Sequence, residues 1–238
     1  MSLIWSYGVL TVPSRAETLL PRTLASLAAG GFTAPRLFVD GARDARFESI
    51  QYSPYPITYR GENIRTFGNW VLALWELFLR NPHADRYALF EDDFVTYRNL
   101  KEYLDVLPFP SKAYLNLYLH PWNKSAIPIP PVTGLFRTSQ KGYSAVALVF
   151  DRRGVSDLLS SQEICFKPRD PFPEWWKKHD GTISRAMTSK GYTEFSHYPS
   201  LVQHTGEVSV MGNAPCPLPE PTFLGEDFNA LEFLNANR

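Results

Sequence analysis

Three consecutive carboxylates, Glu91-Asp92-Asp93, follow directly on the apolar run Tyr87-Ala88-Leu89-Phe90 and give way at once to Phe94-Val95. A short apolar run before a turn reads as a buried strand. Adjacent acids repel one another and add nothing to the strand that carries them. A divalent cation removes that repulsion, and hard oxygen ligands suit Mg2+ or Mn2+. In open α/β sheets, ligands sit beyond the carboxyl ends of strands. The triplet is therefore a candidate metal site at a strand tip, with a solvated acidic turn as the plain alternative. Alternation along a strand puts Glu91 and Asp93 on one side unless the turn intervenes. One acid then holds the ion and another contacts a ribose or sugar hydroxyl.

Other residues gain meaning from that tip. His204 lies in Pro199-Ser200-Leu201-Val202-Gln203-His204-Thr205-Gly206, an apolar approach closed by a glycine turn. A lone histidine after a strand is commonly structural; its claim as a ligand rests on the acidic tip needing a further donor. His179-Asp180-Gly181 precedes a helical stretch. Asp180 is either an ordinary N-cap or a general base that takes a proton from an acceptor hydroxyl. Pro13-Ser14-Arg15 and Asp40 end the first two strands. Arg15 suits a diphosphate and Asp40 a ribose or base edge, against the alternatives of a surface charge and a plain Asp-Gly turn. Arg65 and Asn69 stand one turn apart on a helix whose face can look toward the same pocket. Trp70 and Trp75 read as core, whereas Trp122, Trp175 and Trp176 lie in loops, where a ring can stack on a sugar or fill the core. No Walker loop, GxGxxG or GxSxG elbow is present.

The elements that must position these groups alternate. A strand at 3–12, a helix through Leu19, Leu20, Leu24, Leu27 and Ala28, and a strand at 36–39 form a strand–helix–strand unit, which favours a parallel sheet with right-handed crossovers. Phe67, Trp70, Val71, Leu74, Leu77 and Phe78 recur at helical spacing within 64–80. The acid-tipped strand at 86–90 follows, then a helix at 100–107. Strands are expected at 113–119 and 143–150, helices at 154–160 and 180–190, and strand pieces at 192–202. Residues 120–140 and 164–173 read as long loops, and long loops in a compact domain are commonly functional. The expected fold is α/β, with a mixed, mostly parallel sheet flanked by helices. One domain spans 1–210, its nucleotide-binding half at 1–95 and its acceptor half at 96–210, and 211–238 is a tail packed on the surface.

Bulk properties set outer bounds. The 238 residues suffice for a full core, and 24 basic against 24 acidic residues give no general pull toward nucleic acid or anionic membrane. Cys165 and Cys216 form no disulfide framework. No apolar run reaches the roughly 20 residues that span a bilayer, and the first residues lack a signal-peptide pattern, so a cytoplasmic protein is the expectation.

With these residues quoted, the chain resembles glycosyltransferases of the GT-A fold. Glu91-Asp92-Asp93-Phe94 after an apolar strand is similar to their acidic DxD-type motif. In branching N-acetylglucosaminyltransferases a similar Glu-Asp-Asp run precedes an aromatic-rich helix, as 97–104 does here. Their late Pro-Ser-Leu-x-Gln-His-x-Gly segment resembles 199–206, and their aromatic and acidic segment carrying the base resembles 175–180. The resemblance implies Asp93 as metal ligand, Glu91 or Asp92 on the donor ribose or sugar, His204 completing the metal shell, Asp180 as base, and Pro13, Arg15 and Asp40 lining the nucleotide pocket. It also implies Mn2+ or Mg2+, a UDP-sugar donor, and inverting transfer to a glycan, lipid-linked saccharide, protein or modified nucleobase. Unlike in the Golgi members, no anchor and stem are expected here, and the acidic run is not a literal Asp-x-Asp. The rival classes are a Mg2+-dependent nucleotidyltransferase and a carbohydrate-binding protein without catalysis.

Overall fold

The computed structural model describes residues 2–126, 133–165, 179–206 and 220–236, and every structural statement below concerns these. The chain opens with β1 (Trp5–Thr11), α1 (Leu19–Ala29), β2 (Arg36–Val39) and β3 (Ile57–Tyr59). It continues through α2 (Arg65–Arg80), β4 (Arg86–Glu91), β5 (Phe94–Thr96) and α3 (Leu100–Val106). Then come β6 (Ala113–Asn116), α4 (Pro121–Ala126), β7 (Gly134–Arg137), β8 (Ala147–Asp151), α5 (Arg152–Leu159) and α6 (Gln162–Cys165). The remainder holds α7 (His179–Ser189), β9 (Thr193–Tyr198), β10 (Val202–His204) and α8 (Phe233–Ala236).

Eight strands form one sheet in the order β3-β2-β1-β4-β8-β6-β9-β7. The β3-β2-β1-β4 half is parallel throughout. β8 then runs antiparallel to both β4 and β6, β6 is parallel to β9, and β7 closes the edge antiparallel to β9. β5 and β10 make a separate antiparallel pair, with His204 opposite Phe94.

Strand alternation sorts the apolar side chains onto two faces. Ala88, Phe90, Ala147 and Val149 join Leu20, Leu24 and Leu27 of α1 and Tyr103 and Leu104 of α3 in one core. Tyr87, Leu89, Leu148 and Phe150 join Phe67, Trp70, Leu74 and Leu77 of α2 and Ile183 and Met187 of α7 in the other. The sheet is therefore covered on both faces, as parallel strands require. Helix starts are set by side chains: Asp151 accepts from the Gly154 amide at 2.6 Å to cap α5, and Asp40 accepts from the Ile64 amide at 2.7 Å ahead of α2.

Several expectations change. The stretch 120–140 is not one long loop, because it holds α4 and the edge strand β7, whose backbone groups β9 satisfies. Trp75 is 36 % exposed on the outer side of α2 rather than core, while Trp70 is fully buried. The described part of the late segment, 220–236, feeds the first core. Phe223 stacks on Tyr97 at 4.6 Å, Phe228 and Phe233 meet the same ring, and Ala230 and Phe233 are buried.

Candidate active site at the tip of β4

β4 delivers its acids to its carboxyl end beside the end of β1, with Leu10 opposite Glu91. That register brings Thr11 and the 3-10 turn Pro13–Arg15 against the acids. Asp92 accepts from the Thr11 hydroxyl at 2.5 Å and from Arg15 Nη1 at 2.5 Å. The same Arg15 nitrogen stands 3.0 Å from Asp93 Oδ2. Burial pushes Asp92 up to about 7, with the Asp93 charge adding to it and Arg15 and Thr11 pulling the other way.

The turn itself is pinned from α1. Thr23 Oγ1 lies 2.8 Å from the Asp92 carbonyl and 2.9 Å from the Phe94 carbonyl, and accepts from the Phe94 amide at 3.3 Å. One turn further, Ser26 Oγ accepts from the Thr96 amide at 2.8 Å. These two hydroxyls satisfy backbone groups that leave the main sheet at Asp92 and would otherwise be buried unpaired.

The β5–β10 pair then carries His204 to Asp93. His204 Nε2 stands 3.4 Å from Asp93 Oδ2, and the Thr205 amide donates to the Asp93 carbonyl at 2.7 Å. Burial works to raise the Asp93 pKa, but the hydrogen bond and charge of His204, with Arg15, hold it below the ordinary carboxylate value. Gly206 closes the arrangement. A Cβ there would lie 2.6 Å from Asp93 Oδ2 and 3.1 Å from His204 Cε1, so only glycine lets the backbone pass this close.

Glu91 takes a separate direction. β4 ends at Glu91 and the turn intervenes; Glu91 adds its charge at Arg15 and His204 beside that of Asp93, but its own close contact is elsewhere. Glu91 Oε1 is 3.4 Å from His179 Nε2, which is 2.9 Å from Asp180 Oδ1 at the start of α7. Burial opposes the charge on His179, yet Asp180 and Glu91, both close to the same Nε2, raise its pKa to about 10. The imidazolium in turn holds Asp180 below the usual carboxylate range, against burial. Asp180 is therefore an ionised carboxylate, with its side chain 28 % exposed.

The remaining sequence candidates fall into two groups. Pro13 packs on the backbone of Gly41, beside the acids. Asp40 is buried with one oxygen committed to the Ile64 amide. Asn69 does not look into a pocket: it is buried, donating to the Phe38 carbonyl at 3.0 Å and accepting from Arg60 Nε at 2.7 Å. Arg65 is exposed at the first turn of α2 with φ of 70°. Trp175 and Trp176 lie outside the described residues. The sequence reading gave no role to Thr11, Thr23 or His179. His179 stands next to Asp180 in the chain, but only the fold brings Glu91 to the same ring nitrogen.

Asp93 Oδ1 is buried and makes no hydrogen bond. An ionised oxygen left without a partner in a buried site fits a cation. Among the described residues no group of three or more His, Cys, Asp or Glu converges as a ready metal cage. The chain thus offers a pair, Asp93 and His204. A pair fits Mg2+ or Mn2+ in a site of the kind where phosphate oxygens and water complete the shell.

No protein-family profile matches the sequence, and no curated protein is detectably similar to it. Solved structures are similar in fold. One is the crystal structure of GalNAc-T7 with UDP, GalNAc and Mn2+, with a TM-score of 0.57 and 10 % identity, covering 86 % of this chain and 44 % of that one. The chain spans less than half the length of that neighbour. Another is mannose-1-phosphate geranyltransferase from Thermus thermophilus, with a TM-score of 0.44 and 14 % identity, over 80 % of this chain and 73 % of that one. The fold is of the GT-A, Rossmann-like class.

Proposed function

We propose that the protein is a metal-dependent glycosyltransferase that moves a sugar from a UDP-sugar to an acceptor hydroxyl with inversion. The observation that carries this reading is Asp93 at the tip of β4, with one buried oxygen unpartnered and the other beside His204. Asp93 and His204 would hold the cation together with the diphosphate. A divalent cation there offsets the negative charge that grows on the leaving diphosphate. Arg15 supplies a second positive charge at the same tip, and Thr11, Pro13 and Asp40 shape the nucleotide side. Asp92 fixes Arg15 and Thr11, and Glu91 fixes His179.

Asp180 takes the proton from the acceptor hydroxyl as that oxygen attacks the anomeric carbon opposite the diphosphate. The carboxylate is ionised before the hydroxyl arrives, as a general base must be. His179 holds it in that state and in place. The fold neighbour solved with UDP, GalNAc and Mn2+ supports the same class of chemistry.

The test is UDP release from a panel of UDP-sugars with Mn2+ and mixed acceptors. Activity should vanish with a chelator and return with Mn2+. Asp93→Asn and Asp180→Asn should each lower kcat by at least about a hundredfold, Asp93→Asn with a melting point near wild type and Asp180→Asn with a lower one, because it leaves the buried His179 imidazolium with one acid fewer. Near-normal turnover by Asp93→Asn would refute the assignment of the metal ligand. Release of pyrophosphate in place of UDP would assign nucleotidyl transfer instead.

A further inference from the structure

A run of aromatic rings leads out of the site. Beginning at His204, the Tyr118 ring lies 6.3 Å away, and His120 stands edge-on to Tyr118 at 6.0 Å. Tyr143 stacks on His120 at 5.3 Å and 24°. Trp122 meets both, edge-to-face, at 5.2 Å from His120 and 5.1 Å from Tyr143. Tyr118 is buried at the inner end, and Trp122 is 60 % exposed at the outer end. An indole that leaves most of its surface in water, anchored on a ring cluster which continues into the core, is built to be covered by something.

The platform is fixed, and it lies next to the candidate base. Asn116 Nδ2 donates to the carbonyls of Tyr143 and Ser144 at 3.1 and 2.7 Å. Ser184 of α7 donates to the Gln140 carbonyl at 2.8 Å. Gly142, at φ of 64°, passes so close to the Asp180 carbonyl that a Cβ would lie 2.6 Å from it. The loop carrying Tyr143 is thus seated on the start of the helix that carries Asp180. The ring platform is bounded by His204 on one side and by the Asp180 turn on the other.

We propose that Trp122, Tyr143 and His120 form the acceptor subsite and that the acceptor is a neutral saccharide. The proposal rests on the transferase reading above for the word acceptor, but its binding chemistry stands on the rings alone. A pyranose has an apolar C–H face and a rim of hydroxyls. The indole and phenol rings supply an apolar surface for the first. His120 supplies a donor for the second: its Nδ1 accepts from the Trp122 amide at 3.2 Å, so the neutral ring carries its proton on Nε2. Burial lowers the pKa of His120 and keeps it in that neutral form. The four rings then carry no formal charge. A nucleic-acid acceptor would bring phosphates that need cations, and the chain's charges balance at 24 of each sign.

Saturation-transfer NMR on the full chain tests this directly. The probes are cellobiose, N-acetyllactosamine and chitobiose as saccharides, with an eight-residue oligothymidylate as the stacking competitor. At least one disaccharide should receive saturation on its ring C–H protons. Its affinity should fall roughly tenfold or more in Trp122→Ala. Trp122→Phe, which keeps a ring, should retain part of it, and Trp75→Ala should bind as wild type does. Binding by oligothymidylate in place of the saccharides, equal saccharide binding by Trp122→Ala, or no saccharide binding at all would each overturn the proposal. The melting-point response of the same samples to UDP with Mn2+ is read alongside. Loss of that response with saccharide binding intact sinks the donor reading alone, and the reverse sinks the platform alone.

Discussion

His179 has to carry a charge to do its work at all. It is buried with Glu91 and Asp180 both close to its Nε2, and as a neutral ring it would leave those two carboxylates without a counter-charge there. Its folded pKa, about 10, lies above the unfolded value of about 6.5. A group raised in this way stabilises the fold fully below the unfolded pKa, and that contribution is lost as pH rises through the folded one. Stability should therefore decline between about pH 6.5 and pH 10, by an amount on the order of a few kcal/mol. Denaturant melts across that window check it. His179→Gln should be less stable at pH 6 and should flatten the alkaline limb. An alkaline limb of unchanged slope in that variant would show that the imidazolium does not hold the two acids. The same residue marks a limit of sequence reading. The spacing His179-Asp180-Gly181 exposed the carboxylate as a base or a cap, but the partner that sets its protonation, Glu91, is distant in the chain.

The elements explain why the acids stand as they do. α1 is more than a cover on the sheet: Thr23 and Ser26 on its buried side supply the hydrogen bonds of the turn that leaves β4. The small β5–β10 pair is what converts a histidine far along the chain into a neighbour of Asp93. Its fit depends on Gly206. Gly206→Ala should cost about 1–3 kcal/mol in stability, because the added methyl displaces Asp93 or His204 in a packed site. It should also raise the KM for Mn2+ more than it changes the affinity for UDP alone. A variant with wild-type melting point and wild-type metal dependence would show that the close approach is not needed. The repeating strand–helix–strand pattern, the acid tip and the His-Thr-Gly turn were all legible, because periodicity and turn chemistry are local. The hydroxyls of α1 were not, since a threonine inside an apolar helix reads only as a weak helix former until its partner strand is known.

At the scale of the whole molecule, both halves of the sheet feed one end. β1 and β4 bring Arg15 and the three acids, β8 and β6 support the Tyr143 loop through Asn116, and α7 brings His179 and Asp180. Residues 220–236 also belong to this body, since Phe223, Phe228 and Phe233 gather round Tyr97 just beyond β5. Their sequence hid this because phenylalanines five residues apart, at 223, 228 and 233, match neither the helical nor the strand period. Among the described residues, no helix is long and apolar enough to cross a membrane. The central claim is that Asp93 and His204 jointly hold a cation presented with a diphosphate. Water-proton relaxation with Mn2+, titrated with UDP, reads that claim without any turnover. Wild type should bind Mn2+ far more tightly with UDP than without it, and Asp93→Asn and His204→Ala should each lose that enhancement. Equal enhancement in wild type and in both variants would contradict the account.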